Sequence, residues 1–221
     1  MSLDEALAKL AGLLGLPSEA GCTPILVMLA GSNGAGKSTF YEAYLAVLGL
    51  PFINADRIAA ALSSGTRIGP PKLSGVSVDR AAQRLADEER QASIVLRQSF
   101  VTETVLSDPF GAKVAMLEEA RGLGFETWLF FIGISSAELS LARVHERVTS
   151  RGGHDVPQDR MRSRFPRTLA NLPRAVARSS VALLLDNDLP DAPYRFVALF
   201  ENGRLIRRSE RTPDWAQAVV Q

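Results

Sequence analysis

The chain has 221 residues, 46% apolar and 22% charged, with a net charge of +1. That balance suits a single globular domain and excludes a disordered chain or one driven as a whole towards nucleic acid. The lone cysteine, Cys22, has no partner for an internal disulfide, and the apolar runs at 25–30 and 128–132 are too short to span a bilayer; a cytoplasmic protein without a membrane partner is expected.

Residues 3–15 carry apolar side chains at helical spacing and stop at a glycine and a proline. The unbroken apolar run 24–30 reads as a strand covered on both faces. A glycine-rich turn over 31–36 leads into a helix over 37–48, a brief strand over 51–54 and a helix over 56–62. Residues 63–78, rich in Gly, Ser and Pro, read as a loop. Within it, Leu73-Ser74-Gly75 starts like a transporter-ATPase signature but does not continue as one.

A helix over 79–98 and a strand over 99–103 follow, then a helix over 108–123 with Asp108 as its cap and Pro109 in its first turn. Next come a strand over 125–134, helices over 136–150 and 157–179 separated by Gly152-Gly153, and a strand over 181–185. Strands over 194–200 and 204–208 flank Asn202-Gly203, a hairpin signal. Alternating strands and helices predict an α/β fold, a mainly parallel sheet between two helical layers. One domain over 1–221 is expected: an N-terminal helix (1–20), a core (21–188) and a C-terminal hairpin and helix (189–221).

Gly31-Ser32-Asn33-Gly34-Ala35-Gly36-Lys37-Ser38, followed by Thr39, satisfies the pattern G-x-x-x-x-G-K-[ST] between a predicted strand and a predicted helix. Glycines let backbone amides curl around phosphate oxygens, and the helix N-terminus adds partial positive charge. Lys37 then reaches the β- and γ-phosphates of ATP, and the Ser38 hydroxyl ligates Mg²⁺. The fold expected is therefore that of a P-loop NTPase. The chain has no N-K-x-D guanine motif and no apolar strand ending in Asp-Glu, which favours phosphoryl transfer to a small acceptor.

Such a transfer needs a carboxylate beside the acceptor hydroxyl. Asp56 follows the second strand and Glu103 ends the third, both on the sheet edge where parallel strands present ligands. Capping and chemistry are both open to Asp56, with Asn54 as the other cap candidate. Glu103 suits either substrate hydroxyls or a Mg²⁺-bound water. Asn54 and Thr102 complete the substrate side, and Asp108 reads as structural.

Of 25 basic residues 21 are arginines, and nine of these lie between Arg143 and Arg178. Guanidinium forks suit phosphoryl oxygens, so the two arginine-bearing helices, over about 143–167, read as a lid. A solvated basic face and a nucleic-acid surface are the alternatives; the latter is disfavoured because Phe165 is the segment's one aromatic residue. His154 reads as a loop-ordering residue.

The motifs GSNGAGKST (31–39), INADRIA (53–59), FVTETVLS (100–107), RVHERVTSRGGHDVP (143–157), RFPRTLANLPRA (164–175) and LLLDN (183–187) together resemble the zeta-toxin family of P-loop kinases. The resemblance runs from about Pro24 to Asn187. It implies a kinase core related to chloramphenicol phosphotransferase and, more distantly, adenylate kinase. It also implies ATP and Mg²⁺ as cofactors, a sugar hydroxyl of UDP-N-acetylglucosamine as acceptor, and an antitoxin protein as a candidate partner. By the same resemblance Asp56 is the general base, Glu103 the substrate-side glutamate, and Arg147, Arg164 and Arg143 the arginines on the transferring phosphoryl group. Val105 departs from the family, where a threonine is common. A nucleotide-binding switch acting through a protein partner is the alternative to a kinase.

Overall fold

Alternate residues of the first strand, β1 (Ile25–Ala30), enter two different cores. Leu26, Met28 and Ala30 join one, and Ile25, Val27 and Leu29 the other. All six are buried, as a strand covered on both faces requires. The computed structural model describes residues 3–15, 23–67, 77–151 and 157–221; Leu73-Ser74-Gly75 and Gly152-Gly153-His154 lie outside the described residues.

The other strands are β2 (Phe52–Ile53), β3 (Phe100–Thr104), β4 (Glu126–Gly133), β5 (Val181–Asp186), β6 (Arg195–Glu201) and β7 (Arg204–Arg208). They form one sheet in the order β2-β3-β1-β4-β5-β6-β7. The first five are parallel, and the hairpin adds the last two antiparallel. On the first face pack α3 (Ala55–Ser63), α4 (Val78–Val95), α5 (Ala112–Gly122), α7 (Gln158–Ala177) and the terminal turn α8 (Gln217–Val220). On the second lies α1 (Leu3–Gly15), whose Ala6 and Leu10 are fully buried, together with the aromatic residues that follow the phosphate-binding loop. The fold is three-layered α/β/α, as expected. Lys9, paired with Glu201 and set over the Trp128 ring, fixes α1 against the sheet rather than over the ligand edge.

Two expected helices change form. The helix over 37–48 keeps α geometry only as α2 (Lys37–Phe40), continues as a π-turn at Tyr41–Leu45, and ends in 3-10 form at Ala46–Leu48. The helix expected from 108 begins at Ala112, behind Gly111 at φ 75°. Asp108 still serves it, accepting from the Phe110 and Ala112 N–H groups at 3.1 and 2.9 Å, but Pro109 stands outside the first turn.

Register sets the site. Leu29 lies beside Glu103, and Ile53 beside Thr102, so the chain leaves β1, β2 and β3 on one edge. The phosphate-binding loop, Asn54–Asp56 and Glu103–Asp108 thereby converge.

Candidate active site

The loop after β1 is shaped by close approach. At Gly31 (φ 145°) an added Cβ would collide with the Ile132 carbonyl oxygen, and at Gly36 (φ 93°) it would sit 2.5 Å from Asn187 Nδ2. Only glycine fits both the angle and the space. Lys37, opening α2, is 6% exposed. Its Nζ donates to the Ser32 carbonyl at 2.9 Å and lies 3.7 Å from Glu103 Oε1. Burial pushes its pKa down, with Glu103 and Asp56 pulling it back up and Arg147 adding to the fall. An ammonium so desolvated is ready for an anionic ligand.

Asn54 resolves the capping question. Its Oδ1 accepts from the N–H groups of Asp56 and Arg57 at 2.7 and 3.1 Å, making it the cap of α3. Asp56 is then free of capping; its carboxylate makes no hydrogen bond among the described residues and is exposed at the junction of two cavities. Glu103 accepts from Asn54 Nδ2 at 2.8 Å and from the Ser38 hydroxyl at 3.3 Å.

Each cavity measures about 350 Å³, the size of a small-molecule site. The first is lined by Asn33, Gly34, Gly36 to Thr39, Arg143, Glu146 and Arg147. The second is lined by Asn54, Arg90, Ser107, Asp108, Lys113, Arg164 and Arg167. Asp56, Glu103 and Val105 border both. The Arg164 guanidinium is shifted down by burial and by Arg160 and Arg167, while Asp56 opposes the shift; the base candidate and this arginine thus share one field.

Two expected site residues prove to have other work. Thr102, placed on the substrate side by sequence, is wholly buried; its hydroxyl accepts from Arg90 Nε at 2.7 Å and donates to the Ile53 carbonyl at 3.2 Å. Strand alternation turns it to the sheet face opposite that of Glu103. Arg143 lines the first cavity, but its NH1 and NH2 donate to the carbonyls of Asn187 and Asp188 at 2.7 and 2.9 Å. Those bonds hold α6 (Ala137–Arg151) to the segment after β5, leaving Arg147 and Arg164 as the phosphoryl-facing candidates.

The two arginine-bearing helices are anchored on opposite walls. α6 is tied to the phosphate-binding loop by Ser140 Oγ, which donates to the Asn33 carbonyl at 2.6 Å. α7 is tied to the second cavity's loop by Thr168 and Asn171, which donate to the carbonyls of Val105, Leu106 and Asp108.

Sequence reasoning missed Arg90 and Lys113. Arg90 is 3% exposed and bonded to Asp87, which also pairs with Lys113. Burial lowers the pKa of both cations. The missed signal was spacing: Ala82, Ala86, Arg90 and Ile94 lie four apart on the buried stripe of α4.

The zeta toxin family model matches residues 16–184. The chain belongs to the zeta toxin family. It is accordingly a phosphotransferase of the P-loop kinase class. A relative from Haemophilus influenzae, an uncharacterized protein, is 29% identical over 144 residues, covering 63% of this chain and 91% of its own. Among solved structures, a chain of the AvrRxo1-ORF1:ORF2 complex superposes with a TM-score of 0.64 at 19% identity, covering 98% of this chain and 70% of that one. A chain of the PezAT chromosomal toxin–antitoxin system of Streptococcus pneumoniae gives 0.54 at 17%, covering 99% and 85%. At these identities the two structures share the fold. No helix among the described residues is long and apolar enough to cross a membrane.

Proposed function

We propose that this zeta toxin family kinase transfers the γ-phosphoryl group of ATP to a hydroxyl of a nucleotide sugar, with UDP-N-acetylglucosamine as the first acceptor to test. The observation that carries the reading is the meeting of two cavities at Asp56, one walled by the phosphate-binding loop and the other bordered by Arg164 and Arg167. A switch protein has no need of a second cavity or of an uncapped carboxylate between the two.

In this reading Gly31 to Thr39 cradle the phosphates, and Lys37 follows the β- and γ-phosphates. Asp56 orients the acceptor hydroxyl and takes its proton late in transfer. Arg147 and Arg164 meet the charge spread over the transferring group. Arg164 and Arg167 line the second cavity with no ion pair among the described residues, which suits an acceptor that carries its own phosphates. Asn54 and Glu103 stand beside the acceptor's path.

Ser38 and Glu103 offer hard oxygen donors 3.3 Å apart, which fits Mg²⁺. Among the described residues no group of three or more His, Cys, Asp or Glu forms a metal cage; Ser38 would therefore hold the ion together with the nucleotide's own phosphates. When bound, it supplies charge neutralisation at the phosphoryl oxygens. An antitoxin is the proposed protein partner, supported by structural neighbours drawn from a toxin–antitoxin system.

The test is transfer of labelled γ-phosphate from ATP·Mg²⁺, with UDP-N-acetylglucosamine and with a metabolite extract, by wild type and Asp56→Asn. A labelled product that the variant largely fails to make supports the reading, and its mass names the acceptor. Release of free phosphate alone, indifferent to extract and to Asp56, overturns it.

A further inference from the structure

Four carbonyls of the phosphate-binding loop are held by side-chain donors. Lys37 Nζ holds Ser32 O and Ser140 Oγ holds Asn33 O. The other two donors come from the connection between β5 and β6: Asn187 Nδ2 reaches Ala35 O at 2.8 Å, and the Tyr194 hydroxyl reaches Gly36 O at 2.9 Å, where it joins the Phe40 N–H of α2, also at 2.9 Å. A carbonyl turned towards the phosphates would repel them, and one tied to a donor outside the loop is hindered from turning in.

We propose that Asn187 and Tyr194 form a latch that preshapes the phosphate-binding loop, acting as positioning residues for nucleotide capture. The inference rests on the nucleotide-binding role of that loop. The two members are joined to each other, the Tyr194 N–H lying 3.4 Å from Asn187 Oδ1. Asn187 is itself fixed by its N–H to the Gly133 carbonyl and by Arg143 on its own carbonyl.

Tyr194 bears the marks of a residue held in place by its surroundings. Its φ is 55°, a left-handed conformation that a bulky residue adopts at an energetic cost. Its ring stands edge-on to Phe40 and Tyr44, with centroids 5.0 and 5.8 Å away. Tyr44 belongs to the π-turn, the departure from α geometry that begins one residue after α2, and such turns gather at functional sites. Burial and the neighbouring Tyr44 raise the Tyr194 pKa, with Thr39 and Arg143 opposing the rise.

The test is calorimetric titration of the full chain with ADP·Mg²⁺, without acceptor, for wild type, Tyr194→Phe, Asn187→Ala and a control, Leu10→Ala on α1. Melting temperatures of the nucleotide-free proteins are measured alongside. Tyr194→Phe keeps the ring and removes one donor. The expected result is roughly three- to tenfold weaker ADP binding in each latch variant, the net worth of one neutral hydrogen bond, with Leu10→Ala melting lower yet binding ADP like wild type. ADP affinity within twofold of wild type in both latch variants overturns the latch, as does an equal loss in Leu10→Ala. Failure of wild type to bind ADP would instead overturn the nucleotide-binding reading, so the two failures are distinguishable.

Discussion

Asn54 uses both ends of its amide: Oδ1 caps the helix that carries Asp56, and Nδ2 lies 2.8 Å from Glu103 Oε2. One side chain therefore sets the spacing between the two carboxylates of the site. Asn54→Ala loses the cap and is expected to cost about 1 kcal/mol, lowering the melting temperature by roughly 2–4 °C. Asn54→Asp keeps an accepting cap but places a second anion against Glu103. With both side chains about nine-tenths buried, it should also melt below wild type and lose more turnover than affinity for ATP, which steady-state kinetics read.

Lys37 gives the site a pH signature. Burial holds its pKa below the ordinary value of 10.5, so the unfolded chain binds more protons than the empty folded protein between the lowered and the ordinary value. Stability of the nucleotide-free protein therefore gains a contribution as pH rises through that window. A bound phosphate favours the ammonium form, so nucleotide binding takes up a proton there and weakens as pH rises. Calorimetry in buffers of different ionisation enthalpy should show uptake at alkaline pH and none in Lys37→Met.

Thr102→Val removes the acceptor for the buried Arg90 Nε. The expected cost is about 1–3 kcal/mol of stability, the penalty for an unsatisfied buried donor, read as a lower urea midpoint. A rise in acceptor KM with stability unchanged would instead place Thr102 at the substrate.

Arg147→Lys and Arg164→Lys keep the charge and lose the fork. Each is expected to reduce kcat by roughly ten- to a thousandfold, within what oriented charge contributes to phosphoryl transfer, and to leave ADP binding nearly unchanged. Arg143→Lys should behave differently: its bonds to the Asn187 and Asp188 carbonyls make it a stability variant, seen first in the melting temperature.

Features governed by near neighbours were legible in the sequence. The loop at 31–38 is defined by spacing alone, and parallel strands obliged Asn54, Asp56 and Glu103 to share an edge. Features governed by distant partners were not. The carbonyls that occupy Arg143 lie 44 and 45 residues away, and the groups that engage Arg90, the Thr102 hydroxyl and the Glu103 carbonyl, sit on a different element. Thr102 is buried and bonded to Arg90 because one residue along a strand reverses the face. Asp108 was recognised as a helix-start residue, but the left-handed Gly111 delays the helix it serves.

The separate anchoring of α6 and α7 gives the two arginine helices different informants. Arg147 rides on a helix bonded to the nucleotide's loop, and Arg164 on one bonded to the loop of the second cavity. A clamp that needs both guanidiniums is thereby tied to both loops, one hydrogen-bonded anchor to each, with Val105 shared between the cavities: an AND gate made of two side-chain anchors.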